Sequence, residues 1–97
     1  MDPVMLADIV AERARAALGE ALPPRLMALP RVPVSAEVWK GERHVRLHGE
    51  ALYAIHTADR AAWAIVVEES SHLEPGSIEI VDVDEVRCET ATGRRGR

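Results

Sequence analysis

Four histidines, one cysteine, four serines and a run of carboxylates are the residues of this chain that could do chemistry. His44 and His48 sit four apart, a spacing that places both imidazoles on one face of a helix, where they could share a metal ion. On a strand the same two residues share a face but lie ~13 Å apart at ~3.3 Å per residue. That is too far for one ion held by bonds of ~2 Å. His56, His72 and Cys88 have no spacing that completes a ligand set. Among nucleophiles, Cys88, Ser35, Ser70, Ser71 and Ser77 lie outside any Gly-x-Ser-x-Gly elbow. Ser70-Ser71-His72 places a hydroxyl next to an imidazole in sequence, which is not the geometry of a triad. Asp82 and Asp84 on a strand would share a face ~7 Å apart, with Glu85 following. They do not form an EF-hand loop, and a solvated acidic edge that discourages strand pairing accounts for them. These patterns predict no catalytic residue, no metal site and no cofactor.

A second constellation has the chemistry of recognition. Trp39, Arg46, Tyr53 and Ile55, flanked by His44 and His48, fall on one face if the central strands pair as their turns suggest. Trp, Tyr and Arg are enriched at binding hot spots, and Arg46 opposite Tyr53 would allow a cation–π contact. Cover by the chain's own N-terminal segment or by the loop around Leu73 is the competing account. The C-terminal Gly93 to Arg97 carries three arginines that could meet phosphates, but three charges give weak, salt-sensitive binding.

The elements that must position these residues centre on 34–68. Gly41-Glu42 and Gly49-Glu50 are two Gly-Glu pairs, each suited to a type II′ hairpin turn because the first central position needs a positive φ. Turns there pair Lys40 with Arg43, Trp39 with His44, Val38 with Val45 and Glu37 with Arg46. A second hairpin would pair His48 with Ala51, Leu47 with Leu52, Arg46 with Tyr53 and Val45 with Ala54. The faces then sort into Val34, Ala36, Val38, Val45, Leu47, Leu52 and Ala54 as a core, and the recognition residues opposite. Ala61 to Val67 is an apolar run that reads as a fourth strand, with Ala54 against Trp63 and Leu52 against Ile65 around a turn at Ala58-Asp59. Such a run also fits a helix capped by Thr57.

Upstream, Asp2-Pro3 is a helix start. Leu6, Ile9, Val10, Ala14, Ala17, Leu18 and Ala21 form an apolar stripe, predicting a helix from Val4 to about Leu22. Gly19 is one candidate stop and Pro23-Pro24 the other. Residues 24–29 read as one further helical turn in a stiff connector built on Pro23, Pro24, Pro30 and Pro33. Downstream, 69–77 is a loop with a Pro-Gly turn and 78–83 a fifth strand, with either Val81 and Val83 or Ile78 and Ile80 inward. A short Val86 to Cys88 segment follows. The expected organisation is a single α+β domain over 1–89 and a disordered Arg-rich tail over 90–97.

Composition bounds the function. At 97 residues, 47% apolar and 29% charged, the chain is ordinary globular material with one modest core. It contains no Phe, Asn or Gln, and eleven of its twelve basic residues are arginine. A net charge of −4 argues against non-specific nucleic-acid binding. Asp2 and the absence of an apolar stretch after a basic start give no signal-peptide pattern. With no apolar run of transmembrane length and one cysteine, the chain is expected to be cytoplasmic. In outline, a helix, three strands and a possible second helix is similar to a double-stranded-RNA-binding domain. That family uses lysines at the start of its second helix, where this acidic chain has Thr57, Ala58, Asp59 and Arg60, so the match stops at the outline and no family is recognised.

The sequence therefore predicts an N-terminal amphipathic helix packed on one face of a four- to five-stranded antiparallel β-meander. The expected function is a non-enzymatic protein-protein interaction module, such as an adaptor, inhibitor, immunity or accessory subunit. It would use Trp39, Arg46, Tyr53, Ile55, His44 and His48 to bind another protein or itself as a homodimer. The alternative is a small-molecule or metal-binding domain using His44, Arg46, His48 and Tyr53 in a pocket on the sheet.

Overall fold

A computed structural model describes residues 3–19, 25–58 and 60–89 of the chain. Helix α1 spans Pro3–Leu18. Five strands follow: β1 Arg25–Lys40, β2 Arg43–His56, β3 Ala61–Ser70, β4 Ile78–Asp82 and, after a single 3-10 turn at Val83–Glu85, β5 Val86–Cys88. They form one antiparallel sheet in the order β4-β3-β2-β1-β5, and the helix contacts it. The α+β architecture matches the sequence expectation. The Asp2 cap, the Pro23-Pro24 stop, Asp59 of the expected turn and the 90–97 tail lie outside the described residues.

The helix ends earlier than about Leu22. Gly19 has φ +68 and donates its N–H to the Arg15 carbonyl at 2.9 Å, the left-handed C-terminal cap that glycine adopts without Cβ strain. Leu6, Val10, Ala14 and Leu18, one row of i,i+4 neighbours, face the sheet.

The first hairpin has the expected register throughout, from Lys40↔Arg43 to Glu37↔Arg46. Gly41 has φ +66 and Glu42 does not have a positive φ, as a type II′ turn requires. The second expected hairpin does not exist. Gly49 lies inside the continuous strand β2, opposite Val34 on one side and Val67 on the other. A Cβ at Gly49 would overlap the Val66 carbonyl oxygen, so this glycine serves a close backbone approach rather than a turn. Consequently Arg46 never meets Tyr53, which lies opposite Ala28 and Ala64.

Residues 25–29 are strand rather than helical turn. β1 runs back to Arg25 through an irregularity between Ala28 and Val32, where Arg31 takes φ +53. Pro33 fits because it faces the outer edge of β1, where a position needs no donor, and Pro30 falls in the irregularity, where it has no ladder partner on β2. Residues 61–70 are strand β3 and not a helix. Ala54↔Trp63 pairs as expected, but Ile65 pairs with Ala51 because Leu52 is an extra residue at a bulge. Thr57 closes the hairpin by donating its backbone N–H to the Arg60 carbonyl at 3.0 Å.

The bulge divides the core in two. Ala64 and Ile65, adjacent on β3, point to opposite faces. Ile65 belongs with Val34, Ala36, Leu47, Ala51, Val67 and Val81. Ala64 belongs with Ile55, Val10 and Ala14 under the helix, flanked by Tyr53, Ile78 and Ile80. Thus Val81 and the pair Ile78/Ile80 are each directed into a core, on different faces. The helix covers the face that carries Tyr53 and Ile55, not the face of Val34 and Leu47.

The first cluster is enclosed because the sheet curls. β4 and β5 occupy opposite edges, which in a flat sheet would be ~19 Å apart across four inter-strand steps. Three residues connect them, spanning at most ~14 Å from Asp82 to Val86. The edges must therefore approach one another. Lys40 of β1 accordingly reaches Glu79 of β4, Nζ to Oε1 at 2.8 Å, across the concave face. Leu47→Ala, which empties the centre of this interior, is expected to lower unfolding stability by about 2–5 kcal/mol. Gly49→Ala should cost at least ~1–3 kcal/mol through overpacking; denaturant titration followed by circular dichroism measures both.

Candidate functional site

The type II′ hairpin joining β1 to β2 carries four of the six recognition residues on its convex face. Because the pairing alternates, Trp39 lies beside His44, Glu37 beside Arg46 and Ser35 beside His48. Their contacts run across the strands. Trp39 is 69% exposed, and its ring packs against His44 with centroids 5.0 Å apart at 52°. Glu37 is shared: one carboxylate oxygen lies 3.1 Å from His44 Nε2, the other 3.8 Å from an Arg46 guanidinium nitrogen. His48 Nδ1 lies 3.0 Å from a Glu89 oxygen beyond β5. All of these polar groups are substantially exposed, so each pair contributes ~0–1 kcal/mol. They group these side chains around the indole.

Tyr53 and Ile55 are not part of this surface. Ile55 is fully buried beneath α1, and Tyr53 is half-buried at the border of the same cluster. The bulge at Leu52 and the continuation of β2 past Gly49 carry both residues to the helix-covered end of the sheet. The helix is thus the cover that competed with a binding role for these two positions.

A groove of about 670 Å³ adjoins the Trp39 surface. Its walls include Trp39, Arg46 and His48 from the hairpin, Asp82 at the end of β4, Asp84 in the 3-10 turn and Arg87 in β5. Residues near it were recognisable by type in the sequence, but their convergence depends on the curl of the sheet. Arg87 and the acidic turn were missed as neighbours of Trp39, since only the β1–β5 pairing brings them there.

The remaining candidate chemistry resolves into structural contacts. Ser70 Oγ donates to the Arg46 carbonyl at 3.0 Å and accepts the backbone N–H groups of His72 and Leu73 at 3.3 Å each. Ser71 donates its backbone N–H to the same carbonyl at 3.2 Å. This is a hydroxyl-stabilised turn, and His72 instead lies 3.4 Å from an Arg43 nitrogen. Ser77 Oγ donates to the Glu74 carbonyl at 2.8 Å. Cys88 is exposed. Among the described residues no three His, Cys, Asp or Glu side chains converge as metal ligands, and His44 and His48 each address a different carboxylate. No described helix is long and apolar enough to cross a membrane.

The chain matches no protein family, no curated protein and no solved structure. Ser70→Ala should destabilise the domain by about 1 kcal/mol through its lost turn hydrogen bonds, while Trp39→Ala, at an exposed site, should change stability by no more than ~0.5 kcal/mol. Thermal unfolding of the two variants checks the contrast.

Proposed function

We propose that this domain is a non-enzymatic protein-interaction module whose contact surface is the convex face of the β1–β2 hairpin, with Trp39 as its anchor. The observation that carries this reading is the exposure of Trp39 on a register-defined hairpin. An indole there brings a large apolar area and few rotatable bonds to a partner. Its neighbours Glu37, His44 and Arg46 already contact one another, which lowers the side-chain freedom lost on binding. Arg46, 66% exposed at its side chain, supplies a planar donor group suited to carboxylates. The occupant is a second protein or a second copy of this chain.

A second reading is favoured by the groove beside the hairpin, whose volume falls in the range of small-molecule sites, ~300–1,000 Å³. Arg46, Arg87 and His48 on its wall suit an anionic ligand. Tyr53, placed in such a pocket by the sequence reading, does not line it.

Native mass spectrometry of the purified protein separates these readings. The interaction module is expected to appear as a dimer without added mass, or as a bare monomer that captures a partner. Trp39→Ala should weaken the association roughly tenfold or more, the scale of a hot-spot truncation, while leaving the unfolding midpoint in place. Unchanged association in Trp39→Ala contradicts the hairpin surface, and a retained small molecule promotes the groove.

A further inference from the structure

The two edges of the curled sheet approach but do not pair. β5 covers the outer edge of β1 at Val34–Ala36 only, and β4 pairs only with β3. The Pro33 carbonyl accepts the Glu89 N–H at 2.9 Å, so alternation turns the main-chain groups of Pro33, Ser35, Glu37 and Trp39 outward from β1. The Ser77 carbonyl accepts the Val67 N–H at 2.8 Å, so Glu79 and Val81 turn toward β3, and Ile80 and Asp82 toward the seam. On the concave side the Lys40–Glu79 contact closes this seam. On the convex side it stays open as the groove of about 670 Å³. The buried Ala36 and Val81 form the groove's floor, and Leu18 and Ile80 stand on the wall across from β1.

Two features of this groove select its occupant. The first is charge of both signs that is not neutralised within the chain. Arg60 and Arg87 on its wall, and Asp82, Asp84 and Glu85 beside them, have no ion-pair partner among the described residues. A uniformly basic or uniformly acidic partner would set like charges against one of these two groups, which is costly. A surface that carries both signs complements a copy of itself turned about a two-fold axis. The second feature is that a protrusion and a recess are neighbours. Trp39, the most exposed large apolar side chain among the described residues, stands at the rim of a recess with an apolar floor. A two-fold axis beside that rim brings each copy's indole over the other copy's groove, so both contacts form together and the assembly closes at two.

We propose that the groove is occupied by a second copy of this chain, in an isologous homodimer where the Trp39 of each copy seats in the groove of the other. The incoming indole lies between the β1 wall and the Leu18–Ile80 wall, a burial that withdraws ~150–250 Å² from water for each ring. Around it, the unpaired arginines of one rim meet the unpaired carboxylates of the other. The site is incomplete without the second copy, because neither the indole nor these charges find cover within one chain. The proposal rests on the interaction-module reading for the role of Trp39, and it narrows the partner to the chain itself.

Sedimentation equilibrium over a range of concentrations reads the association, and two variants read its geometry. The wild-type chain is expected to pass from monomer to dimer with no larger species. Trp39→Ala removes the protrusion and keeps the groove. It should weaken the dimer roughly tenfold or more, the scale of a hot-spot truncation. Ser35→Trp keeps the protrusion and fills the groove, at a half-buried strand position that a Trp suits, and should weaken the dimer similarly. Mixed at a concentration where each variant alone is monomeric, the two should form a heterodimer. The Trp39 of the Ser35→Trp chain still finds the open groove of the Trp39→Ala chain. A wild-type chain that stays monomeric throughout overturns the homodimer, while the hairpin surface stands if Trp39→Ala loses a foreign partner that the wild type binds. A dimer that Trp39→Ala does not weaken overturns both readings. Folded, monomeric variants that fail to form the heterodimer overturn the reciprocal seating. The Trp39→Ala series decides the matter even where Ser35→Trp does not fold.

Discussion

Three residues join two strands that lie on opposite edges of the sheet, and the rest of the molecule follows from that short connection. Val83–Glu85 cannot cross a flat five-stranded sheet, so β1 to β4 must bend until β5 can reach β1. Bending creates an inside. Val34, Ala36, Leu47, Ala51, Ile65, Val67 and Val81 fill it with small and medium side chains, and a chain without phenylalanine suits so narrow a space. Fully burying each Val, Leu or Ile contributes roughly 1.5–3 kcal/mol, so this interior is the principal source of stability. The helix is left to the outside, where it seals Ile55 and Ala64 with Val10 and Ala14.

The same constraint decides what remains exposed. Closure is incomplete, because β5 is only three residues long and covers the middle of β1. The upper part of the seam is bridged by the Lys40–Glu79 pair, a side-chain link in place of a ladder. The convex face is divided likewise. Its helix-covered end takes Tyr53 and Ile55 out of reach, and its hairpin end presents Trp39, His44, Arg46 and His48 together.

Several of these features were legible in the residues. The β1–β2 register could be derived because turn chemistry at Gly41 and the sorting of Val38, Val45, Glu37 and Arg46 agree, and a one-residue slip would have buried an arginine. The four hairpin residues stay together for the same reason: their relation depends on one local turn. Gly49 was not legible, since a glycine required for close backbone approach and a glycine required for a turn are the same letter in sequence. That one ambiguity placed Tyr53 and Ile55 beside Arg46 at the hairpin end of the convex face instead of at its helix-covered end. The bulge at Leu52, with no marker residue, returns Tyr53 and Ile55 to the convex face beyond Ala51. Residues 25–33 were hidden by their prolines, which argue against a central strand but are tolerated on an edge. Curvature depends on which edge β5 joins, a long-range choice that periodicity does not encode.

The central claim is a curled sheet whose two edges remain unpaired beyond β5. Residue-resolved amide hydrogen exchange on the dilute protein tests it most directly. Val38, Glu79 and Val81 donate into ladders, whereas Glu37, Trp39, Ile80 and Asp82 face the seam. The account predicts slow exchange at the first set and fast exchange at the second, alternating residue by residue along both edge strands. Equal, strong protection at Glu37, Trp39, Ile80 and Asp82 would mean that the edges are hydrogen-bonded to one another, and it would contradict the open seam.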